Sequence, residues 1–136
     1  MATQPSRALA PLVKQYAVLL TTHKKDGTSV GTPVNIAVEG DHAYFRTYAR
    51  AWKVRRMRND PEVEIAPSTV RGAPTGPAFK ARVRLLDEGG AEAKHAAALI
   101  RRKYPILHGI GVPLAHRAKR DHTLHYEVRV LGEQGE

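Results

Sequence analysis

Six basic residues and no acid lie between Arg46 and Arg58, and that run is where chemistry is first suggested. It places Arg46-Thr47 at an apparent strand end and Lys53 in the first turn of a short helix starting near Ala51. A helix N-terminus offers free N–H groups and a favourable dipole, and Lys or Arg adds full charge, so the pattern suits a phosphate. Taken alone, the run reads first as a solvated helix face, as most charge runs are. A second group is Gly31 to Asn35, GTPVN. A proline inside a strand donates no ladder hydrogen bond, so a planar heterocycle can reach the backbone at Thr32, Val34 or Asn35. An edge strand explains the same residues. The third group, Ala66 to Gly72 (APSTVRG), offers Ser68, Thr69 and Arg71 as donors where a strand leaves its sheet, and a polar turn is the plain alternative.

Conventional catalytic machinery is missing from the pattern. There is no cysteine, which excludes disulfides, thiolate metal sites and cysteine nucleophiles. No HExxH, GxSxG or phosphate-loop motif occurs. Gly109-Ile110-Gly111 is too short for a dinucleotide fingerprint and follows a helix rather than a strand. Of the seven histidines, His122 and His125 are three apart in a predicted strand and point to opposite faces, a poor metal pair. His108 and His116 sit in an irregular stretch and read as structural or surface residues. No metal site and no catalytic side chain is expected.

The elements that must position the three groups follow from periodicity. Ser6 to Gln15 reads as a short helix with Ser6 as N-cap. Tyr16–His23, Ser29–Glu39 and His42–Tyr48 read as strands joined by turns at Asp26-Gly27 and Glu39-Gly40-Asp41-His42. Ala51–Asn59 is helical, with Trp52, Arg55, Arg56 and Asn59 along one stripe, and Asn59-Asp60-Pro61 stops it. Glu62–Ser68 alternates, with Val63 and Ile65 on one face. After the Val70–Pro77 turn, Phe79, Ala81, Val83 and Leu85 alternate with Lys80, Arg82 and Arg84. Ala91–Lys103 is a helix carrying Ala93, Ala96, Ala97 and Ile100 on one stripe, ended by Pro105. Ile106–Arg120 is ambiguous, and Thr123–Val130 is a final strand with Leu124, Tyr126, Val128 and Val130 facing one way. Six strands, mostly hairpin-linked, with an inserted helix predict an antiparallel β-barrel.

At 136 residues the chain is expected to form one domain, 1–136, with 42% hydrophobic content to fill its core. A formal net charge of +9 points to an anionic partner. No apolar leader or membrane-length span is present, so a soluble cytoplasmic protein is expected, with no membrane partner.

Read in order, LLTTHKKDGTSVGTPVNIAVEGDHAYFRT followed by AWKVRRMRNDPEVEIAPSTVRGAPTGPAFKARVRLL resembles the split-barrel family of pyridoxamine-phosphate-oxidase-like flavoproteins. The likeness is greatest to its actinobacterial branch of deazaflavin (coenzyme F420)-dependent reductases. It covers Tyr16 to Leu86 well and the last strand loosely. The resemblance implies a six-stranded split barrel that forms a homodimer with cofactors in clefts between subunits. It implies that Thr32, Pro33, Val34 and Asn35 line the ring. Arg46, Thr47 and Lys53, with Trp52 beside it, would meet the phosphate, and Pro67, Ser68, Thr69 and Arg71 would complete the cleft. The implied reaction is hydride transfer from reduced cofactor to a small-molecule acceptor, the cofactor carrying the chemistry.

Charge helps choose the cofactor. FMN carries one phosphate, whereas F420 adds a tail of several glutamates, which a basic groove around Arg50, Arg55, Arg56 and Arg58 suits better. FMN, or a non-catalytic F420 carrier, is the alternative. A nucleic-acid-binding barrel is a remoter one: Tyr44, Arg46 and Tyr48 alternate as a stacking face would, but aromatic content is only 6% and no RNA-binding signature occurs.

Overall fold

The structure, a computed structural model, describes residues 7–105 and 122–132. The expectations for Ser6, His108, His116, the Gly109-Ile110-Gly111 stretch and Ile106–Arg120 as a whole lie outside these residues.

Seven strands form one antiparallel sheet: β1 (Ala17–His23), β2 (Ser29–Val34), β3 (Ile36–Glu39), β4 (His42–Tyr48), β5 (Glu62–Ser68), β6 (Phe79–Leu85) and β7 (Thr123–Val130). Their spatial order is β2-β1-β5-β6-β7-β4-β3. The two ends of that order, β2 and β3, are consecutive in sequence and separated only by Asn35. The sheet therefore curls until its outermost strands become two halves of one bent segment.

That arrangement gives seven strands rather than the expected six, because the single strand predicted over Ser29–Glu39 changes partner midway. β2 pairs with β1 through Val18↔Val34, and β3 pairs with β4 from Ile36↔Phe45. Pro33, lacking an N–H, lies opposite Leu19 at a pair that exchanges no ladder bonds, so its nitrogen faces the open edge of β2 and the β1 ladder stays whole up to Val34. The Asn35 side chain then donates to the Tyr16 carbonyl at 3.0 Å, so a side chain holds the segment where the ladder stops.

Both tight turns have the expected chemistry. Gly27 has φ 91° and Gly40 φ 64°, values that an L side chain rarely adopts. Asp26 Oδ1 locks the first turn by accepting from the Thr28 N–H at 3.0 Å and the Thr28 hydroxyl at 2.7 Å.

Val18, Leu20, Phe45, Val63, Ile65, Ala81, Val83, Leu124, Tyr126, Val128 and Val130 fill the interior. Phe45 stacks on Tyr126 with centroids 5.1 Å apart. Burying each large apolar side chain of this set contributes about 1.5–3 kcal/mol. Leu85 departs from the predicted alternation: it is 50% exposed, and Leu86, just past the strand, is buried on the opposite, outer face.

Helix α1 (Trp52–Asn59) turns Val54 and Met57 into the same interior, while Trp52 is 68% exposed. The stripe of Trp52, Arg55, Arg56 and Asn59 is thus not the buried one. Helix α2 (Ala91–Lys103) lies on the outer face, where Ala93, Ala96 and Ile100 pack against Ala37, Tyr44 and Leu86. An ion pair from Arg84 to Glu92 at 2.6 Å and a hydrogen bond between His95 Nε2 and Glu39 Oε1 at 2.8 Å fasten it.

The predicted Ser6–Gln15 helix reduces, in the described residues, to a 3-10 turn at Ala10–Leu12. Pro11 explains this: mid-helix it removes a hydrogen bond and collides with the preceding turn.

Candidate functional site

Register places one residue from each of the three sequence groups in a single row around the outside of the barrel. Arg46 pairs with His125 across β4–β7, and Ala17 pairs with Ser68 across β1–β5. Extending the β3–β4 and β1–β2 registers by one residue sets Asn35 beside both Arg46 and Ala17. The row His125, Arg46, Asn35, Ala17, Ser68 crosses five strand segments. At ~4.8 Å per strand it spans roughly 19 Å. Strand alternation gives all five positions the outer face, because Ile36, Phe45, Val18 and Tyr126 face the interior.

The cationic end of the row lacks compensating charge. Arg46 is half-buried and has no acidic partner among the described residues. Its pKa is pulled down by burial, opposed by Tyr48 and assisted by Arg101. His125 is also lowered, by burial first and Arg46 second, and its Nε2 is buried without a hydrogen-bond partner. The ion pairs between described residues fall elsewhere, on Glu39, Asp41, Glu62, Glu88, Glu92 and Glu127. Two half-buried donors without an acid form a place for an anion.

Thr47 follows Arg46 in β4 and faces the opposite way, into the barrel rim. Lys53 reaches it from α1, Nζ donating to Thr47 Oγ1 at 3.4 Å. Beside it, Arg56 Nε donates to the buried Thr22 Oγ1 at 2.6 Å. Burial lowers the Lys53 pKa, and the Arg56 charge lowers it further. The end of β4 thus presents Arg46 on one face and the Thr47–Lys53 pair on the other. Thr32 and Val34 also face inward, opposite Leu20 and Val18, and Thr32 Oγ1 is a second buried polar atom without a partner.

The third group folds over the outer face. Gly72, with φ 91°, comes so close that a Cβ there would lie 3.4 Å from Pro33 Cδ. The turn after β5 therefore touches the strand carrying Asn35. Its hydroxyls are occupied locally: Ser68 Oγ donates to the Thr69 carbonyl at 2.9 Å, and Thr69 Oγ1 accepts from the Ala73 N–H at 3.1 Å. The Pro67 carbonyl accepts from the Thr75 N–H at 2.8 Å, and Arg71 is exposed on the turn. Ser68 and Thr69 thus build the turn, while Arg71 stands exposed on it.

Trp52 opens a cleft of about 270 Å³ that Arg50, Arg55 and Arg58 also line. The Arg55 guanidinium lies 5.2 Å from the Trp52 ring centroid, so the two hold each other in place. The helix end here has no side-chain cap and no acid in its first turn, which leaves its dipole uncompensated.

Arg56, expected in the basic groove with Arg50, Arg55 and Arg58, turns instead to Thr22 and does not line that cleft. Three contributors escaped the sequence reading. His125 was set aside as half of a metal pair. Gln15 Nε2 donates to the Ser68 carbonyl at 2.8 Å, and Tyr104 binds backbone on both sides of Asn35. Those three contacts span 53, 88 and 68 residues of sequence, and no local pattern signals them.

A curled antiparallel sheet that hands one strand from its first edge to its last, with a helix inserted after β4, defines a split barrel. The chain belongs to the pyridoxamine 5'-phosphate oxidase family, whose model matches residues 6–130. Among solved structures it is similar to an F420 reductase, with TM-score 0.60 and 20% identity over 94% of this chain and 96% of that one. An FAD-binding protein from Mesorhizobium loti gives TM-score 0.62 and 15% identity over 88% and 82%. A heme storage protein from Vibrio cholerae gives TM-score 0.61 and 14% identity over 93% and 92%. Identities this low establish the shared fold. No curated protein matches the chain. Among the described residues, no helix is long and apolar enough to cross a membrane.

Proposed function

We propose that the protein is an oxidoreductase that holds coenzyme F420 across the outer row of its barrel and reduces a small-molecule acceptor. The observation that carries this reading is the convergence of Asn35, Arg46 and Ser68 in one row whose cationic end has no acid among the described residues. The residues fit a phosphorylated planar group: Arg46 on one face of the β4 end, Thr47 and Lys53 on the other, and the Gly72 turn closing over Pro33. Trp52 and Arg71 flank that space. When bound, the reduced deazaflavin supplies the hydride; the chain's residues bind and orient it. That division of labour agrees with a site offering no acid–base pair.

The Arg50, Trp52, Arg55 and Arg58 cleft favours F420 over FMN, because it offers three arginines to an acidic tail that FMN lacks. We also propose a homodimer. The alternating apolar residues Ala81, Val83, Leu124, Tyr126, Val128 and Val130 fill the barrel interior, so an interface must use other surface. Among the described residues the large apolar side chains left exposed are Val13, Tyr16, Tyr48, Trp52, Val70 and Leu85. A cytoplasmic location is part of the same proposal.

Side-by-side titration with F420 and FMN tests the reading. F420 should bind more tightly at low salt, and the gap should narrow as salt screens the arginine cleft. Equal affinities at low salt would remove the case for F420, and absence of binding by both would overturn the cofactor assignment. A carrier role is the second reading, favoured by the likeness to a heme storage protein. Binding without oxidation of the reduced cofactor by any acceptor would select it.

A further inference from the structure

The last turn of α2 reaches back to the one point where the sheet changes partner. Tyr104, immediately after the helix, is 3% exposed, and its ring meets Tyr16 edge-on at 5.4 Å. Its hydroxyl accepts from the Ile36 N–H at 3.2 Å and lies 2.8 Å from the Tyr16 carbonyl and 3.0 Å from the Ile36 carbonyl. A phenol has one proton to give. Lys103 Nζ donates to the Ile36 carbonyl at 2.6 Å, leaving the phenol proton for the Tyr16 carbonyl. That carbonyl also accepts from Asn35 Nδ2 at 3.0 Å.

Because a carbonyl can only accept, the Asn35 carboxamide has its NH2 turned to Tyr16 and its Oδ1 turned away. Asn35 sits at the centre of the outer row, between Arg46 and Ala17. Oδ1 there is an acceptor held in one orientation. Flavins and deazaflavins share a pyrimidinedione ring whose imide N–H is a donor between two carbonyls.

We propose that Asn35 Oδ1 accepts a hydrogen bond from the imide N–H of the bound ring, and that Tyr104 is the positioning residue that fixes the carboxamide for it. This rests on the cofactor reading above and adds the atom that recognises the ring. Lys103 supports it by keeping the Ile36 carbonyl satisfied, so that Tyr104 remains committed to Tyr16.

The test uses full-length protein titrated with FMN, F420 and FMN methylated at the imide nitrogen. Wild type should bind methylated FMN about tenfold more weakly than FMN, the cost of one unmade hydrogen bond. Asn35→Leu should bind both alike, at the weaker level. Tyr104→Phe should lose most of the discrimination, and the Asn35→Leu/Tyr104→Phe double variant should bind no worse than Asn35→Leu alone. A Tyr104 that served only stability would leave discrimination intact and add its effect to that of Asn35→Leu. Should Tyr104→Phe fail to fold, the wild-type and Asn35→Leu comparison still decides whether Asn35 reads the imide. Discrimination that survives in Asn35→Leu overturns the proposal. Wild type that binds none of the three ligands overturns the cofactor reading itself, a distinguishable failure.

Discussion

Replacing Lys53 with alanine separates a ligand contact from a structural one. The side chain makes one weak contact, 3.4 Å to Thr47 Oγ1, and has no acidic partner among the described residues. Burial and Arg56 both lower its pKa, so its charge is held at a cost in the folded state. The linkage sign follows: a lysine with depressed folded pKa opposes folding while it is charged, and the penalty fades as pH rises. Removing it at pH 7 should therefore leave the midpoint of thermal unfolding unchanged or slightly raised. Binding is the opposite case. A charge-assisted hydrogen bond to phosphate contributes about 1.5–3 kcal/mol, so affinity for F420 should fall about ten- to a hundredfold. Lys80→Ala, an exposed cation on β6, removes the same charge away from the site and should cost little. The assay is a fluorescence titration of each variant at two salt concentrations, with unfolding followed in parallel. Equal, modest losses for Lys53→Ala and Lys80→Ala would mean diffuse electrostatics. A clear fall in apo stability would mean that the Thr47 contact is structural, and unchanged affinity would place the phosphate elsewhere.

Sedimentation at micromolar concentration should show a dimer, and Tyr48→Asp with Leu85→Asp should shift it to monomer; a wild-type monomer would refute the interface. Lys103 should give a stability that rises with pH. Burial holds its folded pKa to about 8, against about 10.4 for a free lysine, so between these values the unfolded state binds more protons. Solvent access reduces the gain to on the order of 1 kcal/mol. Urea unfolding at pH 8 and pH 9.5 should show this rise in wild type and a flatter profile in Lys103→Met; identical profiles would show that other groups cause it.

Local chemistry made much of the fold legible. Asp26-Gly27 and Glu39-Gly40-Asp41 announce turns because only certain residues tolerate their backbone angles. The alanine stripe of α2 announces its buried face for the same kind of reason, a short-range periodicity. Pro33 was correctly read as an anomaly within a strand, but its consequence was not visible. Whether a strand ends, bulges or changes partner depends on its pairing with β4, a long-range contact that no local pattern carries. The same limit applied to the site. Arg46 and Thr47 look like one feature in sequence, yet alternation sends them to opposite faces. Asn35 and Ser68 look unrelated, yet register puts them in one row. Pro11 misled in the other direction: a plausible N-cap and apolar spacing outweighed a residue that forbids the helix.

The change of partner at Asn35 also bears on how the protein stays dispersed. An open seven-stranded sheet has two outer strands whose unpaired N–H and C=O groups can template association with other chains. Here both outer strands belong to one continuous segment, so covalent continuity across Val34, Asn35 and Ile36 ties the two sheet margins together end to end. Cutting the chain at that point, as in a circular permutant with new termini there, would release two sheet margins at once. The residue proposed to meet the cofactor ring is therefore also the link between the two margins, and a permutant opened at Asn35 should aggregate where one opened at the Asp26-Gly27 turn remains soluble.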